Sequence, residues 1–351
     1  MSAPPVPWRL APRFVERIWG LKRLGPLFPG VEAAGEPIGE AWLTAEDCPL
    51  ATGPYAGRTL GEAWREMPRE SRGANAGGEA GFPLLVKFLF PAQKLSLQVH
   101  PDDAYAARHE RGPGARGKTE MWHVVAATPG AEVRVGLEAG VDPATLEASL
   151  ASGAIEHCMR RIPVRSGDTI FVPAGTIHTI GPGPILCEIQ EYSDLTYRLF
   201  DYNRVGADGK PRALHVENAL GALRFGASPA GRTRPLVRRE GPLALSYLAG
   251  CRYFAAERWE FDRPVDPATG AAHFDLLIFL AGAGRLKAGS GAQDYRRGET
   301  WFLPADLGGY RLEPGEATVL LRAYVPDLDS LENCLLAGGF SPQEVAGVVF
   351  R

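Results

Sequence analysis

Two segments of this chain spell the same short structure 131 residues apart: GDTIFVPAG at 167–175 and GETWFLPAD at 298–306. Each reads as a glycine turn, an acidic residue, a short apolar strand and a Pro-Ala exit. A repeat at that spacing predicts two related β units. Composition agrees: 42 glycines and 30 prolines among 351 residues break the chain too often for long helices. The 45% of hydrophobic residues still suffices for a core. The expected class is mainly β, two barrels or sandwiches with a few short helices.

The polar, arginine-rich and proline-broken stretch 227–243 reads as a linker between an N-terminal unit, 1–226, and a C-terminal unit, 244–351. In the first unit GEAWLTA (39–45), FPLLVKFLF (82–90) and LSLQVH (95–100) read as strands. So do runs near 119–126, 131–137, 161–165, 168–173, 176–180, 184–191 and 195–201. Thr59, Pro101-Asp102-Asp103 and Asp142-Pro143 open short helices, the second with Pro101 in the first helical position, and another helix covers 215–224. Glycine-rich loops are expected at 73–81 and 112–117. The second unit has strand patterns at 274–282, 300–304 and 317–325, and one short helix after 328.

Thirty-eight basic against 41 acidic residues give net −3, which excludes binding nucleic acid or a membrane surface by bulk charge. Five cysteines (Cys48, Cys158, Cys187, Cys251, Cys334) without a CxxC suit reduced thiols. The first twenty residues lack a charged start followed by an apolar stretch, and no run approaches the roughly 18 apolar residues of a spanning helix. A soluble cytoplasmic protein with a small-molecule partner is expected. Its oligomeric state is not legible. Only six of the basic residues are lysine (Lys22, Lys87, Lys94, Lys118, Lys210, Lys287), and three of them fall within 87–118.

The first repeat continues to His178, giving G-x5-P-x-G-x2-H. This resembles the second motif of the cupins, jelly-roll barrels whose histidine points inward onto a metal. The second repeat has Asp306 and Gly309 at the matching glycine and histidine positions, so a metal is expected only in the first barrel. Upstream stand Gln98, His100 and Glu120. The alternation in LSLQVH puts Gln98 and His100 on one face, away from Leu97 and Val99. His100, Glu120 and His178 are a donor set for Zn²⁺ with one position open, and Gln98 is a candidate fourth. The same set also suits Fe(II). His109, His123, His157, His215 and His273 lack such context and read as structural or surface histidines.

LSLQVHPDD (95–103), GKTEMWHVV (117–125), VPAGTIHTIG (172–181), EIQEYSDLTYRLFDYNR (188–204) and IGEAWLTA (38–45) together resemble type I mannose-6-phosphate isomerases, zinc-dependent cupins. The likeness is dense over 38–204, the motifs stand in family order, and the length fits the short bacterial form. It implies two cupin-like jelly-roll barrels, a sugar phosphate substrate and one zinc per chain. His100, Glu120 and His178 match the family's ligands, and Gln98 a ligand of longer relatives. Arg198 matches its active-site arginine; Lys118 and Asp194 match residues that assist substrate binding or proton transfer. Phe200, Tyr202 and His123 replace the usual Tyr, Trp and Tyr, which bears on fine specificity.

The chemistry is coherent. Moving a proton between C1 and C2 of a sugar passes through an enediol, so negative charge develops on neighbouring oxygens. A metal and a permanently charged guanidinium can hold it. Like charge is expected to lower the pKa of Lys118. The general base stays open among Lys118, Asp194, His123 and a metal-bound water. The plain alternatives are an Arg198–Asp194 salt bridge and a solvated Lys118 at a loop end. For the whole protein they are a two-histidine-one-carboxylate cupin oxygenase and a non-catalytic sugar-binding cupin. The phosphate-binding residues are not legible.

Overall fold

In the computed structural model, which describes residues 5–76, 78, 80–111, 115–205 and 209–351, every ladder between named strands is antiparallel. The loops expected at 73–81 and 112–117 fall partly outside the described residues. The described residues form four sheets. In the first half a seven-stranded sheet runs in the order Gly231–Arg232, Thr169–Val172, Glu120–Ala127, Pro184–Glu191, Leu84–Leu89, Ile38–Trp42, Arg13–Leu21. A five-stranded sheet, Tyr197–Phe200, Leu97–Val99, His178–Ile180, Glu132–Leu137 and Met159–Pro163, covers one face of it. One core joins the two: Trp122, Val124, Ile170 and Leu186 from the first meet Val133, Val135 and Ile180 from the second.

Alternation along the strands then decides which residues face the barrel interior. On Pro184–Glu191, Leu186 packs inside the barrel, while Cys187 and Ile189 join a core shared with Leu276, Ile278 and Leu321 of the second half. Glu188 therefore points inward beside Leu186. The same parity puts Glu120 and Trp122 inside and Met121 outside. Polar residues on the inner face of a sealed barrel are costly to bury unless they pair or bind something, and that cost marks the site.

The second half repeats the plan with a seven-stranded and a three-stranded sheet around Leu277, Phe279, Leu286, Trp301 and Leu312. The two repeat segments become the strands Thr169–Val172 and Thr300–Leu303, each entered through a glycine in the left-handed region, Gly167 at φ +91° and Gly298 at φ +86°. Ladder register extends the equivalence. Glu120 pairs with Val172 as Asp275 pairs with Leu303, and His178 pairs with Gln98 as Gly309 pairs with Ala268. Lys87 pairs with Glu188 as Glu257 pairs with Arg322. At the metal-site positions the second half thus keeps one carboxylate, Asp275. Arg322 lies 2.9 Å from Asp275 and 3.1 Å from Glu257.

Several local expectations from the sequence differ in the structure. Residues 1–58 were expected to hold one strand, but Trp8–Leu10 and Arg13–Leu21 are strands as well, and Trp8–Leu10 pairs with Thr300–Leu303 of the C-terminal sheet. Three residues are too few to show a period. The 227–243 segment carries strands at Gly231–Arg232 and Leu236–Glu240, one joined to each large sheet. Both lie at sheet edges, where charge is common, so their arginines resemble a linker. The helix starts agree in place. Thr59 forms a capping box with Glu62, and Asp142 caps a helix whose first residue is Pro143. Asp102, rather than a preceding residue, caps Asp103–His109, so Pro101 stands outside the helix, and the tail holds two helices, Leu328–Ala337 and Pro342–Val345. All five cysteines are free and four are buried; burial pushes the Cys48 thiol up to about 11.

Candidate active site

Strands from both sheets of the first barrel bring His100, Glu120 and His178 together, each fully buried, with donor atoms within 4.8 Å of one another. Glu120 projects from the large sheet and the two histidines come from the smaller one. The turn before His178 is tied to His100: Gly175 N–H donates to the His100 carbonyl at 2.7 Å. Gly175 sits at φ +80°, with the Ala222 carbonyl 3.1 Å from where a Cβ would be, so no other residue fits that turn without strain. Gln98, on the same strand face as His100, reaches His178 Nε2 at 3.1 Å.

The histidines are oriented as ligands. His100 Nδ1 meets the Leu195 carbonyl at 2.8 Å and His178 Nδ1 meets the Thr176 carbonyl at 2.9 Å. A carbonyl only accepts, so each Nδ1 carries the proton and each Nε2 presents a lone pair to the cluster. Those nitrogens lie 3.6 Å and 3.5 Å from the two oxygens of Glu120. Burial, reinforced by Lys118, keeps His100 far below its ordinary pKa and pushes His178 down to about 4, so both are neutral near pH 7. Glu120 Oε2 is buried without a well-formed hydrogen bond, although the Lys118 ammonium is 2.8 Å away. Three electron-pair donors, one of them an under-satisfied carboxylate oxygen, fit a divalent cation.

Lys118 is buried, with Nζ donating to His100 Nε2 at 3.1 Å and lying 3.6 Å from Glu188. It is no solvated loop end. Burial opposes its charge, but Glu120, Glu188 and Asp194 outweigh that and hold the ammonium above its ordinary range. Arg198 does not pair with Asp194. Asp194 binds Lys87 at 3.0 Å, and Arg198 Nη1 donates to the Ala213 carbonyl at 2.8 Å. Gln98, Lys118, Asp194 and Arg198 line one cavity of about 610 Å³.

Sequence reasoning missed three residues of this network. Lys87 lies 3.7 Å from Glu188 and sits over the Trp42 ring at 4.8 Å. Glu188 stands between the two lysines. Trp122 Nε1 donates at 3.1 Å to both Glu120 and Glu188, locking the two carboxylates in place. One signal was present: Lys87 is the only charge in FPLLVKFLF, in a chain that uses lysine rarely. Phe200, Tyr202 and His123 are not on the cavity wall.

His123 is therefore removed from the choice of base. It faces away from Glu120, and its Nδ1 meets Thr169 Oγ1 at 3.1 Å. Burial pushes it down to about 3, so the unfolded chain takes up a proton below its ordinary pKa while the folded chain does not. Its contribution is complete above about pH 6.5 and falls by ~1.4 kcal/mol per pH unit on acidification until about pH 3. His123→Met should flatten the urea-unfolding free energy between pH 6.5 and 4.5 by about that slope relative to wild type. Parallel profiles would contradict the assignment.

Comparison with known proteins places this geometry. A family model described as "Phosphomannose isomerase type I, catalytic domain" matches residues 8–128. The mannose-6-phosphate isomerase of Streptococcus mutans is 35% identical over 302 residues, 85% of this chain and 92% of that protein. The mannose-6-phosphate isomerase ManA of Bacillus subtilis is 35% identical over 306 residues, 86% and 94% of the two chains. The crystal structure of the B. subtilis mannose 6-phosphate isomerase superposes with a TM-score of 0.82 at 31% identity, covering 90% of this chain and 99% of that one. No helix among the described residues is long and apolar enough to cross a membrane.

Proposed function

The chain belongs to the type I phosphomannose isomerase family, and from that membership we propose that it interconverts mannose 6-phosphate and fructose 6-phosphate in the cavity of its first barrel, with one zinc ion per chain. His100, Glu120 and His178 would hold the ion, with Gln98 as a fourth donor. The carrying observation is the pair of histidines whose Nδ1 atoms are pinned to carbonyls, so that both Nε2 lone pairs meet one buried carboxylate. When bound, zinc supplies Lewis-acid polarisation of substrate oxygens.

The chain's own residues account for the rest. Arg198 and the Lys118 ammonium face the cavity as fixed positive charges for the oxygens that become negative in the enediol. Lys118, drawn toward its charged form by Glu120, Glu188 and Asp194 against the cost of burial, can donate hydrogen bonds to substrate oxygens. A proton moving between C1 and C2 needs a base in reach, and of the four carboxylates that line the cavity, Glu16, Glu40, Glu188 and Asp194, the last two face Lys118. Asp194 stays ionised against its partial burial because Lys87 and Lys118 face it, and Glu188 is raised by burial and by Glu120. The second barrel, with Gly309 and Ala268 opposite His178 and Gln98, takes no metal in this reading and supports the first. Five free cysteines support a cytoplasmic setting.

The donor set alone would also serve an iron oxygenase. Metal analysis of purified protein should return one zinc per chain, and turnover of mannose 6-phosphate should run as fast under argon as in air. Stoichiometric iron with oxygen-dependent turnover supports the oxygenase. Zinc without turnover of any sugar phosphate supports a non-catalytic sugar-binding cupin.

A further inference from the structure

The cavity that holds Gln98 and Lys118, which touch His178 and His100, also holds a second group of charges that the chemistry at C1 and C2 does not use. Arg212 stands on its wall. Two of its nitrogens are committed to one buried carboxylate: Nε donates to Asp201 Oδ2 at 2.7 Å and Nη2 to Oδ1 at 2.5 Å. The Asp201 side chain is only 5% exposed and also accepts from Arg204 Nη2 at 2.5 Å. A two-point fork of this kind fixes the guanidinium plane, and the third nitrogen, Nη1, is not part of it.

Arg198 stands next to Arg212. Its Nη1 bonds the carbonyl of Ala213, the residue after Arg212, and its Nε is buried without a hydrogen-bond partner. Burial and then the Arg212 charge work against its ionised form. Two guanidiniums held together on a half-buried wall repel one another, and a bound anion relieves that repulsion. Other cations on the wall are already committed. Arg17 gives Nε and Nη2 to Glu40 and Nη1 to the Glu16 carbonyl, and Lys87 and Lys118 are paired with carboxylates. The hydroxyl-bearing residues Ser96 and Thr196 lie on the same wall.

We propose that Arg212, held in place by Asp201, is the anchor for the phosphate group of the substrate, with Arg198 as its neighbour toward the reacting carbons. The inference rests on the sugar-phosphate reading above. It makes Arg212 a determinant of specificity for phosphorylated over free sugars.

The test uses the zinc-loaded full chain. Arg212→Met should raise KM for mannose 6-phosphate about 100-fold while kcat stays within about threefold, because the contact is equal in ground and transition states. Inorganic phosphate, as a competitive inhibitor, should bind the variant about 30-fold more weakly, and Arg212→Lys should recover part of that loss. Arg204→Met removes the other partner of Asp201 and leaves Arg212 itself in place, so it should raise KM far less than Arg212→Met does. An unchanged KM and phosphate inhibition in Arg212→Met overturns the proposal. So does an equal loss in Arg204→Met, which would reduce Arg212 to a support for the loop. If wild type turns over no mannose 6-phosphate, the functional reading fails, and calorimetric titration of inorganic phosphate into wild type and Arg212→Met still decides the anchor.

Discussion

Glu120→Gln should yield a folded protein that retains little metal and turns over mannose 6-phosphate about a thousandfold more slowly. The size of the effect follows from how much converges on this one carboxylate. Oε1 lies 3.5 Å from His178 and accepts from Trp122, while Oε2 lies 2.8 Å from Lys118 and 3.6 Å from His100. An amide in the same place is neutral and offers N–H groups either to the Lys118 ammonium or to a protonless histidine nitrogen. Lys118 is left with Glu188 at 3.6 Å as its nearer countercharge. Breaking a buried ion pair from one side costs about 3–5 kcal/mol, so the melting temperature should fall as well. Glu120→Asp, which keeps the charge on a shorter arm, should retain more of the metal. A glutamine variant with a full complement of metal and more than about a tenth of the rate would remove Glu120 from the site.

Arg198→Ala should keep the metal and the fold while kcat drops about 100- to 1,000-fold. Arg198 touches neither His100, His178 nor Glu120 by hydrogen bond; its Nη1 contact is to the backbone carbonyl of Ala213. Its loss therefore leaves the cluster intact and removes a fixed charge from the wall the substrate faces. Lysine at this position keeps a charge but loses the planar fork and should recover only part of the rate. Metal content measured beside kcat separates this residue from Glu120. An unchanged rate in Arg198→Ala would cancel its catalytic assignment.

The parts of the site that sequence revealed are those where local pattern and chemistry coincide. Q-x-H on an alternating strand carries Gln98 and His100 to one face, and His178 follows a left-handed turn that only a glycine such as Gly175 adopts without strain. The repeat at 298–306 predicted a strand at 300–304, and the strand is Thr300–Leu303. What stayed hidden depends on long-range pairing. Lys87 sits in a strand whose every residue is buried and reads as core until Pro184–Glu191 sets Glu188 against it. The burial of Lys118 was hidden because two of its carboxylate partners, Glu188 and Asp194, come from a stretch far downstream. Trp8–Leu10 joins a strand nearly 300 residues downstream, a pairing that no local period encodes. The charge-reversed pair Glu257–Arg322, standing where Lys87–Glu188 stands in the first half, is visible only through register.

The most direct measurement is a coupled assay for fructose 6-phosphate formed from mannose 6-phosphate, run on chelated protein and again after one equivalent of zinc is returned. The expected result is no turnover in the chelated protein, full recovery at one zinc per chain, and no further gain from a second equivalent. Turnover that persists after complete chelation would contradict the account, as would a zinc-loaded protein that forms no fructose 6-phosphate.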